Sequence, residues 1–322
     1  MAARHIDPVF LNSRIATSDA LDAVAGCRVL AKVELENPIG SFKGRGTEWL
    51  CATILSPGET VVCASAGNFG QGLARAASRR GHASVVFASE QTNPLKIEAM
   101  RRFGADVRLR AGDFDAAKEA ARLHAKAHAL RFIEDGAEPT IAEGAGTIAV
   151  ELLDAARFDA MIVPLGNGAL LAGIGAVLRE LAPTVEITAV VAQDAPAMKR
   201  SLEAGYAIET DHADTIADGI AVRVPIASTV AGLRTCCDAV IEVSEQRIFE
   251  AMQVIYRHLH LIVEPAGAVA VAAILANAGR FAGRRVATLL SGGNISPTLL
   301  RRLLDAPDPV DTFSPTTPRQ AG

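Results

Sequence analysis

Aromatic side chains are scarce in this chain. One tryptophan, two tyrosines and 11 phenylalanines make up 4% of its 322 residues. Alanine, glycine and valine are plentiful instead, and small side chains let helices lie close on a sheet, which favours α/β packing. No excess of charge of either sign is present: 32 Lys and Arg face 36 Asp and Glu, a net −4. That balance excludes the basic footprint of a nucleic-acid or anionic-membrane binder. No CxxC occurs among the five cysteines, Cys27, Cys51, Cys63, Cys236 and Cys237. An odd count without paired spacing speaks against a disulfide framework and for a reduced, cytoplasmic compartment. The neighbours Cys236 and Cys237 are either a redox pair or two ordinary packed thiols, and the second reading is preferred. Residues 1–10 lack a basic segment leading into an apolar run, so no signal peptide is expected. The longest apolar stretch, 261–276, is interrupted by Glu264 and Pro265 and is too broken for a membrane span.

What is present is alternation. Short β-branched runs at 60–64, 84–88, 106–109, 131–134, 161–165, 186–191 and 286–291 read as strands. Ala-, Leu- and Arg-rich segments at 70–80, 94–103, 114–129, 144–156 and 170–181 lie between them and read as helices. Strand, helix, strand at this spacing predicts an α/β fold with mostly parallel sheets. Continuously apolar runs such as Val61-Val62 and Met161-Ile162-Val163 fit strands covered on both faces. The weakly periodic segment 201–230 contains the polar run Thr215-Ile216-Ala217-Asp218-Gly219 and reads as an excursion near a site rather than core. The tail from about residue 305, rich in proline and polar residues, is expected to be poorly ordered.

Four short stretches carry candidate chemistry. Lys43 sits in Ser41-Phe42-Lys43-Gly44-Arg45-Gly46, where flanking glycines permit close approach of a ligand. A desolvated lysine becomes a nucleophile toward aldehydes; a lone lysine is otherwise a solvated charge. Ser65-Ala66-Gly67-Asn68-Phe69-Gly70 follows a strand and precedes a helix. Its N–H groups suit a carboxylate, and Ser65 or Asn68 serves equally well as a simple helix cap. Gly166-Asn167-Gly168-Ala169-Leu170 stands in the same position after another strand. It either cradles a phosphate with backbone N–H groups or is a tight βα loop. A dinucleotide fingerprint is incomplete, because Leu171 stands where the third glycine belongs. Ser291-Gly292-Gly293-Asn294 ends a further strand, where ligands of open α/β sheets sit; the alternative is a glycine turn.

In this order the four stretches resemble the tryptophan-synthase-β-like, fold type II pyridoxal phosphate enzymes, and among them the serine/threonine dehydratases and serine racemases. The likeness runs from about Glu34 to Asn294 and is supported by Pro94-Leu95-Lys96, by Thr215 to Val222 and by Glu264-Pro265-Ala266-Gly267-Ala268. It implies two domains, each a mostly parallel twisted sheet flanked by helices. Residues 1–55 and 136–322 would form a large cofactor-binding domain, and 56–135 a small mobile one. It implies that Lys43 binds pyridoxal 5'-phosphate as a Schiff base and is the catalytic residue. Phe42 would lie against the ring, Asn68 would bond the ring hydroxyl, and Ser291 would face the ring nitrogen. Gly166, Asn167, Gly168, Ala169 and Leu170 would hold the phosphate. Ser65, with Ala66, Gly67, Asn68 and Phe69, would take the substrate carboxylate. A homodimer is implied as well.

A neutral serine at the ring nitrogen disfavours a long-lived carbanion, whereas many pyridoxal enzymes place an acid there. Prompt loss of a β-substituent then suits the site, so the expected activity is β-elimination from L-threonine or L-serine, giving a 2-oxo acid and ammonia. β-Replacement on an activated serine is the runner-up. Racemisation is demoted because Ala66 replaces the second serine that racemases use as an acid/base group. Phe69 stands where dehydratases usually carry histidine, and Asn167 and Ala169 interrupt the usual run of glycines. Val191 and Ala197 match the cation ligands of many relatives and cannot ligate by side chain, so no metal is expected there. The pairs His124/His128 and His258/His260 are read as solvated helix faces. The regulatory domain of biosynthetic dehydratases is not expected after Asn294. A catalytically silent binding protein on the same fold is the remaining alternative, opposed by the joint presence of Lys43, Asn68 and Ser291.

Overall fold

The computed structural model describes residues 1–307. The expected tail beyond that point lies outside the described residues. Two sheets organise the chain. The larger has six strands: β1 (Ile15–Ala16), β2 (Arg28–Val33), β10 (Arg285–Leu290), β7 (Ala160–Pro164), β8 (Glu186–Ala192) and β9 (Ala239–Val243), in that spatial order. Only β1 runs antiparallel to its neighbour; the others pair in parallel. The smaller sheet is parallel throughout, in the order β5 (Asp106–Arg110), β4 (Ala83–Ser89), β3 (Thr60–Ala64), β6 (Arg131–Phe132). Helices flank both sheets, so the fold is α/β with mostly parallel sheets.

The central strands form where the sequence is apolar on both faces. All five residues of β7 are buried, as a strand covered on both sides requires. Helix Pro265–Ala276 packs against the large sheet with every residue from Pro265 to Leu275 buried. The apolar run around it is therefore core, and among the described residues no helix is long and apolar enough to cross a membrane.

Some elements differ from the sequence reading. β1, β2 and β9 appear where no strand is expected. Helix Pro139–Ala155 begins earlier than 144, with Pro139 in its first turn, where proline costs no hydrogen bond. Lys43 opens a helix, Lys43–Thr53, that the sequence reading does not include among its helices. Within 201–230, Ser201 belongs to helix Ala197–Ala204 and Val230 is fully buried, so the excursion is narrower than expected. The intervening run does reach the cavity described next, through Thr215 and the stretch Asp218 to Val222.

Candidate active site

A parallel sheet directs the loops after its strands to one edge, and here the edges of both sheets face a shared cavity of about 440 Å³. The loops after β3, β4, β5 and β6 supply one wall. Those after β7 and β10, with Phe42 and Lys43, supply the other. Every residue to which the resemblance gives a cofactor or substrate role lines it: Phe42, Lys43, the stretch Ser65 to Phe69, the stretch Gly166 to Leu170, and Ser291.

The lysine segment is pinned from far along the chain. The Phe42 N–H and the Ser41 hydroxyl both donate to the Ser291 carbonyl, each at 3.1 Å. The Lys43 ammonium lies 4.9 Å from the centre of the Phe42 ring and donates to Asp135. Behind it, Arg45 is fully buried and bonds both carboxyl oxygens of Glu34 and of Glu151. Thr147 accepts a further bond at 3.0 Å. Such a network fixes the start of the helix that presents Lys43, because a buried guanidinium has to keep its partners.

Gly67, not Ser65 or Asn68, is the N-cap of helix Asn68–Arg79, but Ser65 supports its first turn from outside. Its Oγ accepts from the N–H of Gly67 at 3.1 Å and of Gly70 at 2.9 Å. A hydroxyl that accepts twice still has its own O–H to donate, so this support and carboxylate binding are compatible. Asn68 is held on both sides: its amide donates to Glu264 at 2.6 Å and its oxygen accepts from Asn294 at 2.7 Å. One amide N–H remains for a ligand. Phe69 touches the cavity but belongs to the buried cluster of Leu73, Ile97 and Met100. Gly168 precedes helix Ala169–Leu181 with φ +100°, a left-handed conformation that glycine accepts without strain. The first N–H groups of that helix have no partner within it and point an array of donors toward an anion. Ser291 is buried, with only a 3.4 Å contact to the Ala266 carbonyl for its hydroxyl.

Five ionisable side chains in the cavity wall, Lys96, Asp113, Asp135, Asp218 and Glu264, are absent from the sequence-derived site. Asp135 follows β6 and contacts Lys43. Lys96, from helix Pro94–Arg102, reaches Asp218 at 2.6 Å and Glu264 at 3.8 Å. Burial alone would lower the Lys96 value, but the Glu264 and Asp218 carboxylates outweigh it and hold the ammonium above its ordinary range. Burial pushes Glu264 up to about 7, against the Lys96 charge that lowers it. Lys96, Asp218 and Glu264 sit in segments that the resemblance notes, yet only the fold shows that they meet. Asp135 carries no sequence signal beyond its place after a strand. All five cysteines are free, and burial raises each thiol, Cys237 to about 11. Val191 and Ala197 are buried, and among the described residues no group of three or more His, Cys, Asp or Glu is placed to hold a metal.

A cavity walled by a lysine, an aromatic ring, a helix N-terminus and hydroxyl groups on an α/β scaffold suits an aldehyde-bearing, phosphorylated cofactor. The chain belongs to the pyridoxal-phosphate dependent enzyme family, whose model matches residues 6–292. It is 33% identical over 308 residues to the L-threonine ammonia-lyase of Thermotoga maritima, covering 94% of this chain and 76% of that one. It is 36% identical to the L-threonine ammonia-lyase of Geobacter sulfurreducens, covering 84% and 68%. It spans about half the length of the biosynthetic threonine dehydratases it matches, such as that of Salmonella typhimurium, at 32% identity and 53% coverage of that protein. Among solved structures, a T.th. threonine deaminase superposes with a TM-score of 0.85 at 33% identity, covering 91% of this chain and 96% of that one.

The residues present fit pyridoxal phosphate. Lys43 would supply the amine for its aldehyde and Phe42 an apolar surface for its ring. The start of helix Ala169–Leu181 would offer donors for its phosphate.

Proposed function

We propose that the chain is a pyridoxal-phosphate-dependent ammonia-lyase that removes the β-hydroxyl of L-threonine or L-serine, giving a 2-oxo acid and ammonia. The gathering of Lys43, Asn68, Ser291 and the start of helix Ala169–Leu181 around one cavity carries this reading, and the activity printed for the relatives agrees with it. When bound, the cofactor supplies an electron-withdrawing ring that acidifies the substrate α-carbon. Lys43 holds the cofactor and accepts the α-proton. Ser65, through its remaining O–H, and the N–H groups of its loop bind the substrate carboxylate. Asn68, clamped by Glu264 and Asn294, orients the ring. Ser291 presents a neutral hydroxyl to the ring nitrogen, which favours early departure of the β-substituent. With Ala66 in the loop, the opposite face offers no hydroxyl there to return a proton, which opposes racemisation.

The division into a large part, 1–55 and 136–322, and a small mobile part, 56–135, belongs to the proposal; the confinement of β3 to β6 within 60–132 supports it. A homodimer in the cytoplasm completes it, supported by the family resemblance and by five free thiols. Sedimentation of the loaded protein checks the dimer. K43A checks the chemistry: it should lose both covalent cofactor attachment and turnover, and retained turnover would refute the assignment.

A further inference from the structure

Asp135 places one carboxyl oxygen on the Lys43 ammonium. Its other oxygen is buried and hydrogen-bonds nothing. Both side chains are mostly enclosed, with 16% and 15% of their surfaces exposed, and both line the cavity. The loop is fixed from the far wall: Gly136 has φ +97°, and a Cβ there would sit 2.5 Å from the Asn167 carbonyl oxygen. Asp135 therefore has little freedom to turn toward solvent. Once Lys43 is joined to the cofactor it is no longer a free ammonium, and a largely buried carboxylate without a cation is costly. Lys96, the other lysine in the wall, is engaged by Asp218 and Glu264.

The substrate brings the missing cation. Its nitrogen must reach the carbon that the Lys43 nitrogen occupies. The substrate nitrogen gives up its protons as its new bond forms, and the Lys43 nitrogen takes up the same number as its own bond breaks. One ammonium enters, one is released, and the net charge beside Asp135 is unchanged. We propose that Asp135 is the binding partner of the substrate α-ammonium, pairing with whichever amine, the substrate's or that of Lys43, is not joined to the cofactor. This rests on the reading of Lys43 as the cofactor-bearing lysine. It makes Asp135 a specificity residue that selects amino acids over acids lacking the amine.

The test compares the loaded wild-type protein with D135N. L-Alanine carries the α-ammonium but no β-leaving group, so its binding is followed by the visible absorbance of the cofactor without turnover. Propionate, which has the same carbon skeleton without the amine, is read by its displacement of L-alanine. D135N should load normally and bind L-alanine about tenfold more weakly or worse, the usual weight of a charge-assisted hydrogen bond. Its affinity for propionate should be unchanged or improved. Equal weakening of both ligands, no weakening of either, or failure of D135N to load overturns the proposal. If D135N does not fold, D135S is read by the same criteria. Failure of the underlying reading looks different: the wild-type protein would not attach the cofactor, or K43A would.

Discussion

Glu264 offers a quantitative check on the electrostatics of the cavity. The residue is 1% exposed; one oxygen accepts from Asn68 at 2.6 Å, and the other hydrogen-bonds nothing. Burial pushes it from an ordinary 4.5 up to about 7. A carboxyl whose folded value lies above its unfolded one keeps its proton longer in the folded chain. Its contribution to stability is then greatest below pH 4.5 and is lost as the pH rises toward 7. The full loss is about 3 kcal/mol, of which about 2 kcal/mol falls between pH 5 and pH 7. E264Q keeps the shape and an acceptor for Asn68 but has no proton to lose. Urea unfolding of the cofactor-free wild-type and E264Q proteins at pH 5 and pH 7 measures the effect. The wild-type protein should lose about 2 kcal/mol relative to the variant over that range. Stability curves that run parallel from pH 5 to 7 would show that Glu264 is already ionised in the folded chain.

Further expectations follow from the same packing. R45M leaves Glu34 and Glu151 facing each other without their guanidinium and should destabilise the protein by about 3–5 kcal/mol, read as a lowered urea midpoint. G136A forces an L-residue into a left-handed conformation with φ +97° and drives a methyl group onto the Asn167 carbonyl. It should cost about 2 kcal/mol or more and loosen cofactor retention, measured by dialysis of the loaded protein.

Of the strands that carry site loops, β3, β4, β7 and β10 are legible as apolar, β-branched runs, because burial on both faces demands such sequences. β2 is not. Lys32 breaks its apolar pattern, and in the fold that charge is buried against Glu151 at 2.7 Å, a partner found only through tertiary structure. β9 lies at the sheet edge and carries the exposed Glu242. The helix that begins at Lys43 is masked by Gly44 and Gly46, both poor helix formers. Packing overrides that tendency, since every residue from Gly44 to Cys51 is buried. The same logic divides the site. Lys43, Asn68 and Ser291 stand in short motifs whose spacing is local. Lys96 meets Asp218 and Glu264 across 122 and 168 positions, a pairing that no local pattern encodes.

On this reading, Lys43 and the cavity around it carry out β-elimination. The most direct test is 2-oxo acid release from L-threonine and L-serine by the cofactor-loaded protein with no nucleophile added. Release from either substrate, stoichiometric with ammonia and absent in K43A, is the predicted result. A visibly loaded protein that releases no 2-oxo acid, yet forms product once a thiol is supplied, would contradict the account and assign the cavity to β-replacement.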